Sequence, residues 1–235
     1  TFLSTHKPGD PLILKGKEQR KKGLRIVRTM DDLVDGMSTE RYQVVQEYMK
    51  DVLTVDGRKL NLRMYVVMIY DPGTRSVEAY LHPRGKCIYT NRTYDASSDD
   101  FEHTITSYQL DPSVYDTRPH STAELYKWLA GDGIDFEHVL LQMGDIVRDV
   151  AHAASGKLGR YWNVKNNTQV QLFGLDFIVD AKTMSPKLLE MNKGPCMRNK
   201  VPMDADLREK VRLDMYQLAG VLRDDNDDNE FIRVL

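Results

Sequence analysis

Cysteine is nearly absent from this chain: Cys87 and Cys196 are the only two in 235 residues, and they stand far apart with no paired spacing. That excludes a disulfide framework and the clustered cysteines of zinc or redox motifs, and it fits a reducing compartment. Both are expected as free thiols, and the expected location is cytoplasmic. Long apolar runs are also missing. The strongest, Tyr65 to Tyr70, is far short of the ~20 residues a membrane-spanning helix needs, so no membrane partner is expected. The beginning is polar, lacks the basic, apolar, small-residue order of a secretory signal, and opens at Thr1 without Met; it reads as a fragment or processed chain whose start is missing. With a net charge of −2 there is no excess of one sign to draw in nucleic acid, and the basic residues from Lys15 to Arg28 have no interleaved aromatics to stack bases. The six histidines show no zinc-ligand spacing, and no Ser/His/Asp or Cys/His arrangement offers a protein nucleophile.

What is present is an ordinary folded composition, 41% hydrophobic and 29% charged, without low-complexity tracts or solenoid repeats. A chain of this length buries roughly 70–75% of its unfolded surface. Pro11 to Lys15 reads as a short strand, followed by a mobile basic loop between Gly16 and Gly23. Leu24 to Val27 resumes as strand, Thr29 with Asp31 and Asp32 opens a short helix, and Tyr42 to Tyr48 is a further strand. From Lys59 to Tyr70 the pattern alternates, with Leu60, Leu62, Met64, Val66 and Met68 on one face and Lys59, Asn61 and Arg63 on the other. Asp71 to Thr74 turns this strand back into Val77 to His82. A long polar connection spans Asp95 to Pro119. A capping box at Ser121 and Glu124 starts a helix through Trp128, and Phe136 to about Ala154 is a core helix with one buried stripe. Val170 to Asp180 and Lys187 to Asn192 form a second hairpin, Asp206 to Leu218 a closing helix, and Asp224 to Glu230 an acidic, frayed tail.

The strongest chemical signal is Phe173-Gly174-Leu175-Asp176-Phe177 with Leu188-Leu189-Glu190-Met191-Asn192. Strand alternation turns Glu190 and Asn192 one way and Leu189 and Met191 toward the core, and hairpin pairing brings Asp176 alongside. Two carboxylates about 4 Å apart repel by about 4 kcal/mol at an effective dielectric of 20, so they need a proton or a cation. An all-oxygen Asp/Glu/Asn set suits magnesium shared with a phosphate. Lys15, ending a strand before a glycine-bounded basic loop, is placed to touch phosphate. Gln46-Glu47-Tyr48 at a strand end offers an amide and backbone groups to an adenine edge. Lys59, Asn61 and Arg63, with Arg84, can converge on an anion. Each of these also has a plain structural reading as a solvated turn, a sheet edge or a polar strand end.

In order and approximate spacing, Lys15, Val44 to Tyr48, Lys59 to Tyr65, Tyr80 to Gly85, and Gly174-Leu175-Asp176 through Leu189 to Pro195 resemble the tubulin–tyrosine ligase-like family over most of residues 11–220. The resemblance implies an α+β, ATP-grasp fold of antiparallel sheets flanked by helices. It implies two parts, 1–58 as a truncated central subdomain and 59–235 as the C-terminal subdomain. It further implies an ATP- and Mg2+-dependent, amide-forming ligase whose partners are ATP, an amino acid and a protein substrate such as an acidic tubulin tail. Lys15, Gln46, Glu47, Tyr48, Lys59, Asn61 and Arg63 would bind nucleotide; Lys59, Arg63, Arg84 and Glu190 would carry catalysis, with Arg84 on the acceptor carboxylate; Asp176, Glu190 and Asn192 would hold magnesium. Two departures stand out: Asn61 replaces the family's ribose-facing carboxylate, and its His-x-Thr-Asn segment survives only as His103-Thr104-Ile105-Thr106. A degenerate relative that binds without ligating, and a ligase for small peptides or metabolites, are the alternatives.

Overall fold

The structure, a computed structural model, describes residues 9–18, 20–106, 110–161, 168–222 and 228–235. Two antiparallel sheets organise it. The smaller has the order β2-β1-β3, from β1 (Leu12–Gly16), β2 (Leu24–Val27) and β3 (Tyr42–Glu47). Helix α1 (Met30–Ser38) covers one face, packing Leu33 on Leu12, Leu14 and Val27. Thr29 starts it as anticipated, its side chain accepting from the Asp32 N–H.

The larger sheet runs β10-β6-β5-β8-β9, from β5 (Arg58–Asp71), β6 (Ser76–Leu81), β8 (Gln169–Val179), β9 (Pro186–Lys193) and β10 (Ile232–Arg233), while β4 (Thr54–Val55) and β7 (Lys86–Tyr89) also pair with β5. Since β4 pairs with β5 and Val52 bridges Asp180, residues 52–58 lie on the large sheet, and the chain passes between sheets just after Glu47. Leu60, Leu62, Met64, Val66 and Met68 are fully or almost fully buried on one face of β5. They pack there against α3 (Thr122–Ala130) and α4 (Glu137–Tyr161), the latter contributing Val139, Met143, Val147 and Ala151. On the opposite face, Tyr65 and Val67 are roofed by Leu207 and Val211 of α5 (Asp204–Leu218). Beyond α5 that face continues as Arg63, Asn61 and Lys59, so one strand is apolar core on one side and carries charged and polar side chains on the other.

Four expectations change. Leu189 is not a core residue: the register slips between Asp176 and Phe177, pairing Asp176 with Glu190 but Phe177 with Leu188, and it is Leu188 that packs beside Met191. The basic loop is not free, because Arg20–Gly23 forms a 3-10 turn, Glu18 pairs with Arg41, and Lys21 pairs with Glu102; Gln19 lies outside the described residues. The connection from 95 to 119 is partly built, with α2 (Phe101–Thr104) and a 3-10 turn at Pro112–Asp116 that buries Val114 and Tyr115. The tail is not frayed throughout. Residues 224–227 lie outside the described set, but Ile232 and Arg233 pair with Leu81 and Tyr80, and Phe231 is buried, because the apolar end of the segment completes the sheet edge and the α5 interface. Among the described residues no helix is long and apolar enough to cross a membrane.

Candidate functional site

The register of the large sheet builds the site. Arg63 of β5 stands opposite Asp176 of β8, which stands opposite Glu190 of β9; on its other side Arg63 faces Lys86 of β7. Directly opposed residues share a face, so four strands present the row Lys86, Arg63, Asp176, Glu190, two cations followed by two carboxylates. In the row beside it lie Tyr65, Gly174 and Asn192. Gly174 is small for a reason: a Cβ there would stand 2.8 Å from Pro195 Cβ and 3.0 Å from Arg63 Cδ, so the arginine stem crosses the glycine.

Arg63 grips Asp176 through both oxygens, Nη2 donating to Oδ2 at 2.7 Å and Nε to Oδ1. The Asn192 amide donates to Glu190 Oε1 at 2.9 Å. Burial, with the neighbouring Glu190 charge, outweighs Arg63 and raises the Asp176 pKa. Glu190 is also penalised by desolvation, yet the hydrogen bond from Asn192, the interaction with neighbouring Asp176 and the charges of Arg63 and Lys15 hold it below its ordinary value. The neighbouring carboxylates are thus shifted in opposite directions, Asp176 up and Glu190 down. Lys15, on the smaller sheet, contributes a favourable charge at Glu190.

Lys59 is 6% exposed. Its ammonium donates to Thr104 O at 3.1 Å and Tyr48 Oη at 3.3 Å, and lies 4.5 Å from the centroid of the Tyr48 ring. Desolvation without a carboxylate partner pulls its pKa from 10.5 down to about 7. Tyr48 is buried, its N–H already given to Pro11 O. Gln46 and Glu47 lie on the outer strand of the smaller sheet, half-buried and exposed respectively. Asn61 Oδ1 is buried without a hydrogen-bond partner among the described residues, an orphan acceptor between Lys59 and Arg63.

Arg84 is not gathered with the others. Its guanidinium forks onto Glu230, Nε donating to Oε2 at 2.6 Å and Nη2 to Oε1. The sequence reading also missed a buried cluster beside the row: Asp204, fully buried at the start of α5, accepts from Lys86 Nζ at 2.5 Å, the Lys200 N–H at 2.9 Å and Arg208 Nη2 at 3.1 Å, and pairs with His120 Nε2 at 2.9 Å. An isolated Lys86 heading an apolar strand was its only visible trace.

Among the described residues no three His, Cys, Asp or Glu side chains gather to hold an ion. Two carboxylates and an amide leave most of an octahedral shell to water and phosphate, which is a magnesium-like donor set rather than a zinc or calcium cage. The orphan Asn61 acceptor and the cations Lys15 and Arg63 fit a bound polyphosphate nucleotide beside it.

Fold and site together define a two-sheet antiparallel α/β protein whose larger sheet carries two cations beside two paired carboxylates on one face. The sequence pattern described as the tubulin-tyrosine ligase family matches residues 4–229, and the chain belongs to that family. It is 27% identical to the tubulin polyglutamylase ttll-5 of Caenorhabditis elegans, over 91% of this chain and 31% of that protein. It is 24% identical to mouse tubulin polyglutamylase TTLL5, over 94% of this chain and 18% of that protein, and 25% identical to mouse tubulin monoglutamylase TTLL4, over 79% and 17%. The chain thus spans about a third or less of the length of these relatives.

Proposed function

We propose that this chain is the ATP- and magnesium-dependent catalytic portion of an amide-forming ligase of ATP-grasp architecture. In this reading it adds an amino acid, glutamate by likeness to the named relatives, to a side-chain carboxylate of a protein tail such as tubulin's. The smaller sheet and the larger one are read as the central and C-terminal ATP-grasp subdomains. The observation that carries the proposal is the row of Arg63, Asp176 and Glu190 with Asn192 beside it.

Asp176, Glu190 and Asn192 would hold magnesium, which when bound supplies neutralisation of phosphate charge. Lys15 and Arg63 neutralise phosphate oxygens, Lys59 and the orphan Asn61 acceptor hold the nucleotide, and Gln46 with the neighbouring backbone faces adenine. The acceptor carboxylate attacks the γ-phosphorus, breaking its bond to the bridging oxygen and releasing ADP. The amine of the amino acid then attacks the acyl carbon, phosphate leaves, and the amine proton passes to solvent. Such transfers need positioning and neutralised charge rather than a protein nucleophile.

One observation favours a second reading, a family member that binds without ligating: both Asp176 oxygens are engaged by Arg63, and Asn61 stands where a carboxylate is expected. Calorimetry with a non-hydrolysable ATP analogue, with and without magnesium, tests the first reading. Magnesium-dependent binding by the native chain that collapses in Glu190→Gln is the expected result; no binding by a folded native chain would sink it. Magnesium-dependent ADP formation with glutamate and an acidic acceptor peptide then separates ligation from binding alone.

A further inference from the structure

The two cations on the charged face of β5 are held in opposite ways. Arg63 is gripped by the Asp176 carboxylate, whereas Lys59, among the described residues, is met by neutral groups. Its ammonium donates to Thr104 O at 3.1 Å and to Tyr48 Oη at 3.3 Å, with the centroid of the Tyr48 ring at 4.5 Å and that of Tyr94 at 5.4 Å. The polarity of this seat is fixed. The Tyr48 hydroxyl has one proton and donates it to Thr104 O at 3.0 Å, so its lone pairs are left for Lys59. The Tyr94 hydroxyl donates to Lys50 O at 2.8 Å, and what Tyr94 offers the ammonium is its ring. We propose that Tyr48 is a positioning residue: its hydroxyl and ring, with the Tyr94 ring behind them, hold the Lys59 ammonium in place without neutralising it, which keeps a whole positive charge for a nucleotide phosphate.

The neutrality of the partners carries the argument. A carboxylate at this point would hold the lysine firmly but would also cancel the charge that a phosphate needs. An ammonium has three N–H donors; two are engaged here among the described residues, which leaves one for a ligand. Burial works against the charged form and lowers the Lys59 pKa from 10.5 to about 7, so near neutral pH each contact that favours the ammonium decides how much of it exists. Burial pushes the Tyr48 and Tyr94 hydroxyls up, so both stay protonated; Arg28 and Asp95 act on both with opposite signs, and Asp51 acts on Tyr94. His103, which precedes Thr104, has Nδ1 at 2.7 Å from the Thr93 carbonyl. Tyr48 itself follows the outer strand of the smaller sheet, and its N–H donates to Pro11 O at 3.0 Å. The seat of a lysine on the larger sheet is therefore completed from the smaller one. Where the resemblance makes Tyr48 a direct nucleotide contact, this geometry has it act through Lys59. The inference rests on the reading of Lys59 as a nucleotide ligand and adds what keeps it one.

The test is calorimetric titration of the whole chain with magnesium and a non-hydrolysable ATP analogue from about pH 5 to 9, on the native protein, Tyr48→Phe and Tyr94→Leu. His103 is common to all three, so its own titration cancels in the comparison. Native affinity should fall as Lys59 loses its proton. Tyr48→Phe keeps the ring and removes the acceptor, and the midpoint of that fall should move down by about one pH unit, the scale of one hydrogen bond to a charged group, with affinity at the acid end close to native. Tyr94→Leu should move it the same way by less, and carries the test where Tyr48→Phe does not fold. A midpoint that stays in place in the folded variant, or a loss of affinity equal at every pH, would make Tyr48 a packing residue and overturn the inference. A native chain that binds no nucleotide at any pH would instead strike the ligase reading, so the two failures are distinguishable.

Discussion

At the residue scale the charged groups divide into those balanced by partners and those left costly. Asp204 is balanced. Burial opposes its ionisation, but hydrogen bonds from His120, Lys86 and the Lys200 N–H overcome this and hold its pKa far below the ordinary carboxylate range. A carboxylate with a depressed folded-state pKa contributes stability that is complete above its unfolded value, near 3.9, and is lost as pH falls toward the folded value. Asp204→Asn leaves Lys86 and Arg208 as buried cations without their counter-charge, and should cost about 3–5 kcal/mol at pH 7. In urea titrations the gap between native and variant should narrow below about pH 4; a gap constant with pH would mean that the carboxylate's charge is not what holds the cluster.

Lys59 is the opposite case. Its folded-state pKa of about 7 lies below its unfolded value, so the unfolded chain binds more protons between about pH 7 and 10.5 and stability rises with pH across that window. Lys59→Met should be more stable than the native chain at pH 7, lose that advantage by pH 10, and bind nucleotide more weakly. A variant destabilised at pH 7 with nucleotide affinity intact would show that Lys59 is merely a core residue. Arg63, Asp176, Glu190 and Asn192 were legible in the sequence because strand alternation and hairpin pairing suffice to place them in adjacent rows. The Asp204 cluster was not, since Lys86, His120 and Asp204 come from separate elements and each alone looks like an ordinary surface residue. The Arg84 partner was equally invisible, because Glu230 arrives from the tail, which local pattern marked as solvated.

At the scale of elements, β5 is the organising strand, and its two-faced pattern could be read directly because every second residue from Leu60 to Met68 is apolar. What could not be read was the slip in β9, which depends on how a partner strand arrives. The crossing of Arg63 over Gly174 is equally invisible in one dimension, and it makes a prediction. Gly174→Ala inserts a methyl group between Pro195 and the Arg63 stem and should cost about 1–3 kcal/mol. The loss should fall on the site as well as the fold, with the Arg63–Asp176 fork displaced and magnesium-nucleotide affinity reduced. Thermal unfolding and calorimetry on one preparation check this; a lowered Tm with undiminished affinity would mean that the strand yields while Arg63 keeps its place.

At the scale of the whole molecule the two sheets are unequal. The smaller rests on a core of Leu12, Leu14, Val27 and Leu33, while the larger is packed by helices on both faces. Among the described residues, hydrogen bonds and ion pairs tie the smaller sheet to the rest of the molecule. The Tyr48 hydroxyl donates to Thr104 O at 3.0 Å, Lys21 pairs with Glu102, and Arg28 donates to Ala96 O at 2.9 Å and Ser98 O at 3.0 Å. Local opening free energy follows buried apolar contact, so amide hydrogens of residues 12–47 should exchange well before those of β5 and β8. Lys15, on the smaller sheet, contributes a favourable charge at Glu190, and a ligand held by both sheets stabilises only the arrangement in which they are joined. Adding magnesium and a non-hydrolysable ATP analogue should therefore slow exchange in β1 to β3 while leaving β5 and β8, already protected to the limit of global unfolding, almost unchanged. Protection confined to the larger sheet would place the nucleotide on Arg63, Asp176 and Glu190 alone and remove Lys15 from the site.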